Sequence, residues 1–236
     1  QPGAGGKIAF EKFQNLPPDG YTLITYTCPK SIIIEYQGKT GYKTSDYTPV
    51  FAWSRSSQIL VVNADTWKAF DEFLKAAKGK TMAGGLSGRG STTHLMGLIA
   101  LDELGIKVNW VPYEGSAGSV AALAGKHLDF TISLATSAVP LIQAGKLRPL
   151  LLFSDKRDPF LADVPIPKDL GFDMKFIPTL RGVEAAPKTP AAIVKVLEDA
   201  FRKAAAEPAF IENAAKKNMV LEPVDSKAYA KAVTDA

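Results

Sequence analysis

Between an apolar, strand-like run, Lys80 to Ala83, and an amphipathic helix expected to begin near Ser91 lies the stretch Gly84-Gly85-Leu86-Ser87-Gly88-Arg89-Gly90-Ser91-Thr92-Thr93-His94. Glycine and hydroxyl residues this dense let a chain turn sharply from strand into helix. Such a junction directs backbone N–H groups, and the positive end of the helix dipole, at one spot. That spot attracts an anion without any catalytic side chain. The stretch therefore points to a binder of small anions before it points to an enzyme.

Strand and helix patterns alternate on both sides of this junction. Tyr21 to Tyr26 and Gln58 to Val62 are short β-rich runs. Thr66 is expected to cap a helix through Lys78, stopped by Gly79, with Trp67, Phe70, Leu74 and Ala77 on its inner face. Leu95, Leu98, Ile99 and Leu104 line the helix after the glycine stretch. Lys107 to Tyr113, Leu128 to Ser133 and Leu147 to Phe153 read as further strands. Gly115 to Ser119 reads as a second small-residue loop, and Thr136-Ser137 opens another helix. Serial units of this length predict an α/β fold, a parallel sheet with helices on both faces. Ligands of such sheets sit at the carboxyl ends of the strands. The glycine stretch, the Glu114–Ser119 loop and the Ala135–Ser137 loop all fall at that end.

Composition narrows the function classes. The chain has 236 residues, 46% hydrophobic and 22% charged, enough to bury a core. Its net charge is +4, but no basic run exceeds two residues, as at Lys216-Lys217. A nucleic-acid surface needs a denser patch, so nucleic acid is not an expected partner. The mild positive charge suits anionic ligands. The single cysteine, Cys28, allows no intrachain disulfide. Two histidines and one cysteine, far apart, give no zinc spacing, and no metal or cofactor is expected. No apolar run reaches the length of a membrane span. No secretory signal is visible, and Gln1-Pro2-Gly3-Ala4-Gly5-Gly6 opens like a loop. Catalytic motifs are missing: neither Gly88-Arg89-Gly90-Ser91 nor Gly115-Ser116-Ala117-Gly118 forms a nucleophile elbow. The Gly85/Gly88/Gly90 pattern is not a dinucleotide fingerprint, and no phosphate-loop lysine follows it.

A series of landmarks resembles the substrate-binding proteins of tripartite tricarboxylate transporters, the Bug or TctC-like family. They run in order from Pro2-Gly3-Ala4-Gly5-Gly6 and Pro18-Asp19-Gly20-Tyr21-Thr22-Leu23 through Leu60-Val61-Val62 and Ser87-Gly88-Arg89-Gly90-Ser91-Thr92-Thr93-His94-Leu95. They continue with Val111-Pro112-Tyr113-Glu114-Gly115-Ser116, Ala144-Gly145-Lys146-Leu147-Arg148 and Ala185-Ala186-Pro187-Lys188-Thr189-Pro190. The resemblance implies a type II periplasmic-binding-protein fold: two lobes joined by crossing segments near Leu60–Val62 and Phe176–Arg181. Residues 1–62 and 179–236 would form one lobe and 63–178 the other. It also implies a non-enzymatic, monomeric, periplasmic receptor that captures a small organic carboxylate and hands it to membrane transporter subunits. Family members carry a strand, a carboxylate-binding loop and a helix ahead of the Pro2–Gly6 landmark. They also run one helix beyond the position of Ala236. The fold is accordingly expected to be incomplete at both ends in this sequence. An effector-binding regulatory domain of the same fold is the alternative reading.

The candidate ligand-binding residues are Ser87, Gly88, Arg89, Gly90, Ser91, Glu114, Ser116, Ala117, Thr136, Ser137, Arg181, Thr27 and Cys28. Backbone N–H groups with the Ser87 and Ser91 hydroxyls would make the first contacts. Arg89 reads either as a bidentate carboxylate partner or as a solvated loop charge. Arg181 reads either as a second carboxylate partner or as half of a salt bridge with Glu184. Glu114 repels a carboxylate and suits an amino or hydroxyl group. Ser116, Ala117, Thr136 and Ser137 also sit where helix caps are expected, and His94 reads as a packing or capping residue. Thr27 and Cys28 end the first visible strand, and Trp53 reads as an aromatic wall or a core residue.

Overall fold

A computed structural model of the chain describes residues 7–36, 38 and 40–235. The Pro2–Gly6 landmark lies outside the described residues. The chain divides into two units, residues 1–55 with 179–236 and residues 56–178.

The first unit is built on a four-stranded sheet. Its strands are β1 (Leu23–Cys28), β2 (Thr48–Ser56), β8 (Thr179–Ala185) and β9 (Leu221–Val224), ordered β1-β8-β2-β9. β1 runs antiparallel to β8, with Thr27 opposite Arg181 and Ile24 opposite Glu184. α1 (Lys7–Phe13), α2 (Lys30–Tyr36), α7 (Ala191–Ala206), α8 (Pro208–Lys216) and α9 (Ser226–Thr234) complete it. One core cluster is aromatic, with Phe10, Phe13, Tyr26, Tyr42, Tyr47 and Tyr229 all buried.

The second unit holds β3 (Gln58–Asn63), α3 (Phe70–Ala77), β4 (Thr81–Leu86), α4 (Thr92–Glu103) and β5 (Lys107–Pro112). α5 (Ser116–Ala124), β6 (Phe130–Leu134), α6 (Ala135–Gln143) and β7 (Leu147–Phe153) follow. The five-stranded sheet is ordered β5-β4-β6-β3-β7. β4 is parallel to β5 and β6, whereas β3 is antiparallel to both β6 and β7. The sheet is thus not wholly parallel. Every residue of β3 is buried. Its side chains alternate, Leu60 and Val62 packing with Met96, Phe130 and Phe73, and Ile59 and Val61 with Val120, Leu123 and Val139. α3 and α4 therefore cover one face, and α5 and α6 the other. Each large side chain buried this way contributes roughly 1.5–3 kcal/mol.

Four expectations change. Leu60–Val62 is not a connector ending the first lobe: Gln58–Asn63 pairs on both sides inside the second unit, and the division falls after Arg55. Thr66 does not cap α3. Its hydroxyl donates to Asn63 O at 2.7 Å, closing a turn, and the helix starts at Phe70. Ser116–Ser119 is not loop but the first turn of α5. α4 buries Met96, Gly97, Ala100 and Leu101, leaving Leu98 exposed. The reason is Trp110 on β5. A Cβ at position 97 would come within 2.4 Å of Trp110 Cη2, so only a bare helix face fits there.

Candidate functional site

The carboxyl ends of β4, β5 and β6 lie at one edge of the five-stranded sheet, and each leads into a helix: across residues 87–91 after β4, across residues 113–115 after β5, and directly after β6. At the first junction the chain leaves Leu86 and reaches Ser91, the N-cap of α4. Ser91 Oγ accepts from His94 N at 3.3 Å. Gly88 (φ +127°) and Gly90 (φ +69°) lie where side chains are strongly disfavoured, so glycine is required for this path. The loop is further tied from within. Ser87 N donates to Thr93 Oγ1 at 3.1 Å, and Ser87 Oγ and Ser91 Oγ lie 2.8 and 3.0 Å from the same oxygen. Gly90 N donates to His94 Nδ1 at 3.0 Å.

The second junction, after β5, is bound to the first: Tyr113 N donates to Leu86 O at 3.0 Å. Gly115, at φ +86°, is the N-cap of α5, with no side-chain cap. The third junction is bound to the second through Ser116, whose Oγ accepts from Leu134 N at 3.3 Å. Leu134 is the N-cap of α6, again with no side-chain cap. Capping serines and threonines were expected at these two helices. Instead Ser116 is spent between loops, and Thr136 and Ser137 lie inside the first turn of α6. The first N–H groups of α5 thus have no side chain of their own as acceptor; in α6 Ala135 N already donates to Ser57 O at 3.0 Å, and it is the N–H groups of Thr136 and Ser137 that lack a side-chain cap. Helix starts of this kind favour an anion.

Ser87, Gly88, Arg89, Gly90, Ser91, Glu114, Ser116, Ala117, Thr136 and Ser137 accordingly share one edge of the second unit. Arg89, Glu114 and Ala117 are exposed there, and Ser116 is buried. The His94 imidazole is held below its ordinary pKa by partial burial and by the Arg89 charge. This suits the acceptor role of its Nδ1, which requires the neutral ring. His94 thus both packs, edge-on against Trp110 with ring centroids 5.8 Å apart, and ties down the N–H just ahead of the N-cap, in line with the packing or capping role expected of it. It and Thr93 are the functional candidates that sequence reasoning missed. The only signal was the position of both within one helical turn of Ser91.

In the first unit Thr27 and Arg181 are cross-strand partners. Burial pushes the Arg181 pKa down from its ordinary value. Of the two readings of Arg181, the salt bridge with Glu184 does not form. Residues three apart on a strand point to opposite faces, and neither carboxylate oxygen of Glu184 has a hydrogen-bond partner among the described residues. Glu184 is fully buried, which raises its pKa well above the usual range. Cys28, the other candidate at the end of β1, is buried. Its side chain packs into the aromatic cluster and its thiol is pushed up to about 12 by burial. Trp53 packs partly buried against Val50, Phe51 and Val183, a core role.

A groove of about 380 Å³ in the first unit, lined by Thr48, Lys195, Glu198, Ser226 and Lys227, is a poor rival site for an anion. Hydrogen bonds from Ser226 and Arg202 hold Glu198 ionised, with a pKa of about 2, so its charge occupies the groove. Among the described residues, no group of three or more His, Cys, Asp or Glu could hold a metal, and no helix is long and apolar enough to cross a membrane.

Comparison with known proteins agrees with this architecture. The family model for the tripartite tricarboxylate transporter family receptor, TctC, matches residues 1–236. The "UPF0065 protein in gbd 5'region" of Cupriavidus necator is 32% identical over 237 residues, 98% of this chain and 71% of that protein. A TctC solute-binding protein from Polaromonas superposes with a TM-score of 0.85 at 28% identity, covering 99% of this chain and 81% of that one. An R. palustris protein solved with adipate gives a TM-score of 0.85 at 25% identity, covering 100% of this chain and 80% of that one. The fold is that of the TctC and Bug solute-binding proteins, and the chain belongs to the tripartite tricarboxylate transporter receptor family.

Proposed function

We propose that this chain is a periplasmic receptor that binds a small organic carboxylate at the loop edge of its second unit and presents it to transporter subunits in the membrane. The observation that carries this reading is the joining of adjacent strand-to-helix junctions by the Tyr113–Leu86 and Ser116–Leu134 hydrogen bonds, with side-chain caps missing from α5 and α6. The joined loops hold their N–H groups in place before a ligand arrives, which removes part of the ordering cost of binding. Each hydrogen bond to a charged group contributes roughly 1.5–3 kcal/mol, so a few pre-positioned donors reach micromolar affinity. The receptor works without bond-making chemistry, cofactor or metal, and as a monomer. The R. palustris protein solved with adipate supports a carboxylate as the ligand class.

The roles of Ser87, Gly88, Arg89, Gly90, Ser91, Glu114, Ser116, Ala117, Thr136 and Ser137 belong to this proposal. Isothermal titration with adipate, malate, citrate and benzoate tests it. At least one should bind, and Arg89→Ala should weaken that binding about tenfold, the loss of one charged pair. Arg181→Ala in the same titration tests the first unit's candidates, Thr27 and Arg181. A wild-type chain indifferent to every carboxylate would overturn the reading.

A further inference from the structure

Thr93 is fully buried in the first turn of α4, yet its Oγ1 lies within reach of several loop atoms. These are Ser87 N at 3.1 Å, Ser87 Oγ at 2.8 Å and Ser91 Oγ at 3.0 Å. A hydroxyl offers one proton and two lone pairs. The Ser87 N–H can only donate, so it takes one of the lone pairs. A single lone pair and a single proton then remain for the two serines. One serine must donate to Thr93, and the other must accept from it. The accepting serine keeps its own proton for something else.

Ser91 also receives the His94 N–H at 3.3 Å. When it accepts from Thr93 as well, both its lone pairs are filled and it can offer only its O–H. In the reverse direction Ser87 is the hydroxyl with the spare proton. Either way one O–H donor stays available at the glycine loop. Resting on the reading of this loop as a carboxylate site, we infer that Thr93 is a positioning residue: it orients Ser87 and Ser91 so that the loop presents a hydroxyl donor to a carboxylate oxygen. Thr93 touches no ligand itself and acts through the serines.

Titration of adipate into the whole chain tests this. Thr93→Val keeps the shape of the side chain but removes Oγ1, and should weaken binding about tenfold. Thr93→Ser restores the oxygen without the methyl group, and should bring affinity back to within about threefold of wild type. Adding Ser87→Ala to Thr93→Val should cost less than it does alone, because the two act through one contact. Should Thr93→Val fail to fold, Thr93→Ser and the Ser87→Ala/Ser91→Ala pair carry the test. Removing both serine hydroxyls must then weaken binding while Thr93→Ser does not. If Ser87→Ala weakens binding and Thr93→Val leaves it unchanged, the inference is wrong and the site reading stands. The same holds if Thr93→Ser is as weak as Thr93→Val. If malate, citrate or benzoate binds in place of adipate, it serves as the titrant; a chain that binds none of the four, or whose binding is unaffected by Arg89→Ala and Ser87→Ala, overturns the site reading and this inference together.

Discussion

The backbone N–H of Gly90 donates to Nδ1 of His94, 3.0 Å away and one helical turn on. The contact closes the glycine loop against the start of α4, and it exists only while that nitrogen is unprotonated. Partial burial and Arg89 lower the His94 pKa from its ordinary value of 6.5. The unfolded chain then takes up a proton before the folded one does. This stability is fully present above pH 6.5 and is lost as pH falls through the lower folded value.

Denaturant unfolding of wild type between pH 7.5 and 5.5 should therefore show a decline that His94→Asn flattens. Asparagine keeps an acceptor near the Gly90 amide but does not titrate. Identical pH profiles for the two proteins would contradict the assignment.

Ser116 makes a different tie, between loops rather than within one. Replacing it with alanine leaves the Leu134 N–H without its acceptor at 3.3 Å. Ser116→Ala should lower stability by about 1–2 kcal/mol, read as a shift of the urea midpoint at unchanged slope. A shift below about 0.3 kcal/mol would mean that the loops are held by the backbone alone.

Gly97 tests the packing under the loop edge. Alanine is favoured over glycine in a helix by about 1 kcal/mol. Here its Cβ would meet Trp110 Cη2 at 2.4 Å and Cζ2 at 2.8 Å, atoms of a rigid ring. Gly97→Ala should therefore destabilise by about 1–2 kcal/mol net. In a Trp110→Leu background the same change should become neutral or stabilising. A loss that persists there would point away from the indole.

Glu184 gives the opposite pH sign to His94. Burial raises its carboxyl well above the usual value of 4.5, so the folded chain holds a proton that the unfolded chain releases. Its stabilising contribution is present below pH 4.5 and is lost as pH rises towards the folded value. Glu184→Gln keeps the shape without the charge. Its stability advantage over wild type should grow above pH 5, by up to about 1.4 kcal/mol per pH unit. A glutamine variant less stable than wild type at pH 8 would show that the ionised carboxylate has a buried partner.

Local chemistry determined much of this protein from the sequence alone. Glycines at positions 88 and 90 and the capping Ser91 specify a strand–turn–helix junction, because few other residues permit that backbone path. Apolar runs placed β3 and β7, since a strand buried on both faces is continuously apolar. The ordered landmarks made the family legible. Only the tertiary structure decided what depends on neighbours distant in sequence. β3 runs against its neighbours, and its six residues belong to the second unit, because it pairs with strands some 70 to 90 residues further along the chain. α4 sets a glycine, Gly97, against β5 because Trp110 fills the space a Cβ would need there. Cys28 packs into an aromatic cluster because α9 lies beside it, with its Sγ 3.9 Å from Ala232 O. Thr93 and His94 looked like ordinary helix residues until folding brought Ser87 and Gly90 onto them. A hydrogen bond needs its partner within about 3 Å, and that proximity is a property of the folded chain.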